Sequence, residues 1–158
     1  MYAYVRTDNM SGTVVAKDLA SAKFYASEVE AAIENGNIVT LGGYLEGERE
    51  LRKATAPAAD TKLRDLYLVA TPEVVKDKNY YGLGDFINEA GAAIRCYRLT
   101  PGDIFSVTKE AVDGEAAVGS IVEAQAGTKL NIVADATGAT VVGKVMALED
   151  EYIVIEVA

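Results

Sequence analysis

The chain has no histidine and a single cysteine in 158 residues. Without histidine it lacks the commonest general base near neutral pH, the commonest zinc ligand and any Ser-His or Cys-His pair. A lone Cys96 can close no intrachain disulfide and has no second thiol for a CxxC site. Arginine is absent from residues 101–158, which hold 3 lysines against 10 acidic residues, whereas residues 1–100 hold 12 Lys/Arg against 14. The net charge of -9 repels a phosphate backbone, so duplex DNA is not an expected partner, and a basic partner would favour the C-terminal half. No run approaches the roughly 18 apolar residues of a membrane span, and Arg6 and Asp8 interrupt any signal-peptide core after Met1. A soluble chain without a membrane partner is the expectation. Its length suits one domain able to bury a core without metal or disulfide.

What is present centres on the stretch from Arg95 to Thr108. It reads as a strand, a Pro101-Gly102 turn that requires φ > 0 at the glycine, and a second strand. Beyond it, turn signals recur roughly every 8 to 12 residues between β-branched runs, the mark of a small sandwich or barrel. Before it, residues 63–70 alternate as a strand. Residues 19–35 are ambiguous, with alanine content leaning toward helix. Ser27 and Glu30 have capping-box spacing, and a short helix is predicted over residues 28–35, with one helical turn over residues 85–90. The expected fold class is α+β, mostly β. A small antiparallel barrel or sandwich occupies residues 92–158, and an N-terminal α/β elaboration occupies residues 1–91; the two parts can form one compact unit.

No spacing singles out a catalytic pair of carboxylates. The run of Glu149, Asp150 and Glu151 reads as a solvated turn, and Asp135 to Gly138 lacks the alternating ligands of a calcium loop. Gly42-Gly43 and Gly82-Leu83-Gly84 lack the Lys-Ser/Thr of a phosphate cradle. Residues 46–53 alternate charge without an apolar face, as in a solvated hairpin or a salt-bridged docking patch. No catalytic site, metal, cofactor or small-molecule substrate is expected. The candidate partner-binding residues are aromatic and basic. Tyr2, Tyr4 and Arg6 share one face of a short strand, which is either an edge strand of the chain's own sheet or an arm adding a strand to a neighbouring subunit. Tyr80 and Tyr81 belong either to a loop plugged into the core or to an exposed aromatic contact.

Several segments in order carry a resemblance. They are Glu34-Asn35-Gly36-Asn37-Ile38-Val39-Thr40-Leu41-Gly42, Gly47-Glu48-Arg49-Glu50, Leu68-Val69-Ala70-Thr71-Pro72-Glu73, Phe86-Ile87-Asn88-Glu89-Ala90-Gly91, and Tyr97-Arg98-Leu99 with Gly102 to Thr108. With Val118-Gly119 and Val142-Gly143-Lys144-Val145, this succession resembles small structural proteins of tailed phages and prophages, and is similar to capsid (head) decoration proteins. The likeness runs from about Ala32 to the C-terminal strand and carries over no catalytic or ligand site. It implies a virion protein made in the host cytoplasm, with the major capsid protein or another virion protein as partner and self-association as a further possibility. Tail, neck or head-fibre components fit the same pattern. An OB-like module for single-stranded nucleic acid fits less well, because the C-terminal half offers three lysines and few aromatics.

Overall fold

The computed structural model of the chain describes residues 1–75, 79 and 82–158. Thirteen strands carry the fold among them: β1 (Val5–Asn9), β2 (Leu19–Ala26), β3 (Val29–Glu30), β4 (Ile38–Tyr44), β5 (Leu51–Thr55), β6 (Leu66–Val69), β7 (Ile94–Arg98), β8 (Ile104–Thr108), β9 (Val112–Asp113), β10 (Ile121–Glu123), β11 (Leu130–Val133), β12 (Val141–Glu149) and β13 (Tyr152–Val157). The mostly-β expectation holds. The helical elements among the described residues are short 3-10 turns, none of them an α-helix.

Both expected helices give way to hairpin and bridge. Ser27 and Glu28 take φ of 49° and 66°, as a two-residue hairpin turn needs, and so Ala26 pairs with Val29 and Tyr25 with Glu30. The capping-box spacing at Ser27 therefore sits on a turn between strands. Residues 83–85 form a 3-10 turn, and Asn88 bridges to Ile33 as an isolated β-pair. Residues 19–26 are a strand because small Ala22 and larger Phe24 fill the inside of a narrow barrel while Ser21, Lys23 and Tyr25 face out.

That barrel closes through β2. It pairs in parallel with β5 and antiparallel with β7, while β5 pairs β4, β4 pairs β6 and β6 pairs β7. Ala22, Phe24, Val39, Ala54, Tyr67, Val69, Ile94 and Cys96 fill its interior. The other sheet has the order β1-β8-β13-β12-β10-β11-β9, antiparallel except for the short β9–β11 pair at one edge. Of the antiparallel structure expected over residues 92–158, the part from Ile104 onward is present as a curled, open sheet, whereas β7 pairs within the barrel built from the preceding strands.

The two sheets share a core. Ile38, Leu66, Leu68, Tyr97 and Leu99 on the outside of the barrel join Phe105, Val107, Val122, Leu130, Val145, Ile153 and Ile155 from the open sheet in one buried cluster. All four residues of β6 are buried because one face lines the barrel and the other this shared layer. β7 belongs with the barrel and β1 with the open sheet, so the chain passes from one to the other at the Pro101-Gly102 corner. Gly102 has φ +91°, and the Asp103 amide donates to the Thr100 carbonyl at 2.9 Å. Buried Asp103 accepts from the amides of Thr100 and Ser11 at 3.0 and 2.9 Å, which fastens the corner to the first 3-10 turn.

Candidate attachment surface at the sheet edge

Strand β1 is an edge strand whose neighbour is β8, with Val5 opposite Val107 and Arg6 opposite Ser106. Of the two alternatives for this segment, the structure has the edge strand: the main chain of β1 pairs within the protein's own sheet. Tyr4 precedes β1 and is 6% exposed, its ring edge-on to Tyr152 with centroids 5.7 Å apart. Burial, together with its hydroxyl's hydrogen bond to the Glu151 carboxylate, pushes the Tyr4 phenol up to about 12. The Arg6 guanidinium lies 4.2 Å from the Tyr152 ring centroid and pairs with Asp8 at 3.5 Å and Glu149 at 3.6 Å. Both side chains thus serve chiefly to close the β1 edge onto the β12–β13 hairpin. Tyr2 differs, being 40% exposed, with its amide donating to the Gly84 carbonyl at 2.8 Å. Tyr80 and Tyr81 lie outside the described residues.

Beside this edge is a groove of about 600 Å³. Met1, Val112, Ala116, Leu148 and Ile153 give it an apolar lining, and Glu110, Glu115, Asp150 and Glu151 outnumber the cationic groups, the Lys109 side chain and the Met1 amino group. Met1 is 77% and Leu148 49% exposed, so two large apolar side chains stand at its rim without cover. Leu83, 44% exposed, is next to the carbonyl that holds Tyr2. Oε2 of Glu110 is buried and has no hydrogen-bond partner among the described residues, a costly state that an incoming donor would relieve. The surface thus suits an apolar anchor flanked by a Lys or Arg.

Sequence reasoning found the Tyr and Arg positions but missed Met1 and Leu148. The signal was the period-two pattern of β12, in which Val142 and Val145 point in while Lys144, Met146 and Leu148 are exposed. A bulge between Val145 and Ala147 interrupts that register and blurs the pattern. Elsewhere, burial pushes the Cys96 thiol up to about 12, which keeps it a protonated core group. Among the described residues no three His, Cys, Asp or Glu side chains are placed to hold a metal, and no helix is long and apolar enough to cross a membrane.

Compared with protein-family models, curated proteins and solved structures, the chain matches none.

Proposed function

We propose that the protein is a structural component of a tailed-phage virion, a decoration protein that attaches to the outside of the assembled head and ties neighbouring capsid subunits together. The order of glycine-bearing segments along the chain supports this reading. The observation that carries it is the acidic groove with Met1 and Leu148 uncovered at its rim, since exposed apolar side chains ringed by like charge favour a protein partner. The partner is the major capsid protein, presenting an apolar side chain between basic ones. A footprint spanning two capsid subunits exists only after the shell has assembled, so the protein binds heads and not free subunits. Because each contact is modest, two of them on one rigid body act at high effective concentration.

The test is to mix purified protein with expanded heads that lack it and to sediment the heads. Wild-type protein is expected to pellet at micromolar concentration, and Leu148→Glu, a change at a half-exposed site, to bind at least about tenfold more weakly. Wild-type protein that remains in the supernatant, or that pellets with isolated tails instead, would overturn the assignment to heads.

A further inference from the structure

The opposite kind of surface lies at one end of the barrel. Antiparallel and parallel registers bring Leu19, Tyr44, Leu51, Leu66 and Arg98 to the same rim, and this rim opens into a concavity of about 490 Å³. Five cations line it, Lys17, Arg49, Arg52, Arg95 and Arg98, against the single carboxylate Glu50. In a chain of net charge -9 such a concentration is not what random placement would give.

Two of the guanidiniums are fixed by neutral partners. Arg52 donates through Nε to the Gly42 carbonyl at 2.8 Å and through Nη2 to that of Leu41 at 3.2 Å. Arg98 donates to the Tyr67 hydroxyl from Nε at 3.1 Å and from Nη2 at 2.6 Å, with Asp18 3.8 Å from Nη1. Arg52 makes no ion pair among the described residues and Arg98 shares its charge with Asp18, while the orientation of both is set in advance, the arrangement that lowers the cost of binding an oxyanion. Arg49, Arg95 and Lys17 are exposed and make no ion pair among the described residues. Tyr44, 64% exposed, adds an aromatic wall.

We infer that this barrel mouth is a binding site for the carboxylates of an acidic protein segment. The site is distinct from the apolar groove and stands whether or not the protein decorates a head. A peptide is favoured over nucleic acid by extent. The cations converge on one concavity large enough for a few side chains, whereas a single strand of nucleic acid needs a basic track several nucleotides long with bases stacked on aromatics. Two or three neighbouring Asp or Glu side chains match the mouth, with bidentate guanidinium contacts giving specificity.

The experiment is a titration of fluorescein-labelled hexaglutamate with the full chain at low ionic strength, read by anisotropy. Saturable binding at micromolar concentration is expected, falling at least tenfold in the double variant Arg49→Glu, Arg95→Glu. Both residues are exposed, and circular dichroism checks that the fold is kept. A double variant of equal charge, Lys129→Glu, Lys144→Glu, changes a half-buried and an exposed lysine of the open sheet and its immediate flank and is expected to stay within twofold of wild type. The proposal is overturned if wild-type protein gives no saturable signal, if both double variants weaken binding equally, or if oligothymidylate displaces the label better than unlabelled hexaglutamate.

Discussion

The barrel and the open sheet solve the same problem, covering strand edges, in different ways, and their free surfaces differ accordingly. By pairing β2 with β7 the barrel leaves no edge among its five closing strands, so its accessible main feature is the mouth, where strand ends gather charged side chains. The open sheet keeps two edges. One ends in the two-residue β9; the other is β1, whose Arg6 and Asp8 put charge along it. A closed element therefore offers a concave, basic site, and an open one offers an acidic groove with apolar side chains at its rim.

The comparison can be broken most forcefully at glycines. A Cβ on Gly143 in β12 would lie 2.1 Å from the Glu156 carbonyl oxygen and 3.1 Å from the Val157 Cα, both backbone atoms of the neighbouring strand. Gly143→Ala is expected to cost about 3 kcal/mol or more in urea unfolding, because β12 and β13 must part. Gly42→Ala in the barrel strand β4 meets nothing closer than the Lys53 carbonyl at 3.5 Å and should change stability by less than about 1 kcal/mol. Equal losses at the two positions would mean that the sheets are equally close-packed.

The shared layer gives the next largest effect. Phe105 is fully buried where barrel and sheet meet, and Phe105→Ala is expected to cost about 3 kcal/mol with barrel and sheet still melting in one transition. Two separated transitions would show that the barrel folds without the sheet.

Alkaline pH separates the regions more gently. The Cys96 thiol in the barrel is raised from 9.0 to about 12 and the Tyr4 phenol at the sheet edge from 10.0 to about 12. Above pH 9 the folded chain holds protons that the unfolded chain has released, so stability falls as pH rises. Their contribution is fully present below pH 9 and is lost progressively as pH rises toward 12. Cys96→Ala should delay the onset to about pH 10, where Tyr4 begins to contribute, as read from denaturant midpoints across pH.

The corner is expected to give a loss near 1 kcal/mol. Gly102 has φ +91° with open space around an added Cβ, so Gly102→Val carries conformational strain alone, about 1 kcal/mol or somewhat more. A melting temperature unchanged by this variant would contradict the turn geometry.

Much of this architecture is legible in the sequence wherever the pattern is local. Leu66 and Leu68 alternate with Tyr67 and Val69, and both sets prove buried because each faces its own core. The Pro101-Gly102 turn and the strands flanking it are also local, and they match. β2 was obscured because alanines suit the cramped inside of a five-stranded barrel as well as they suit a helix. Closure of that barrel depends on pairings between segments far apart in the chain, such as Leu19 with Tyr97, which no local pattern encodes. The same holds for the basic mouth. Residues 46–53 read as alternating charge, and only the fold brings Arg49 and Arg52 beside Lys17, Arg95 and Arg98. Tyr4 and Arg6 stood out as partner-binding candidates because aromatic and basic residues near a terminus look available. Their engagement with Tyr152, Glu149 and Glu151 depends on a hairpin nearly 150 residues away.

Attachment to the outer surface of an assembled head through the sheet-edge groove is tested most directly by an electron-microscopy reconstruction of purified virions. The expected result is density for the barrel and open sheet on the outside of the capsid, with Met1 and Leu148 against the shell and a basic capsid side chain within reach of Glu110. Density for the protein on the tail or neck, or on the head with that groove facing solvent, would contradict it.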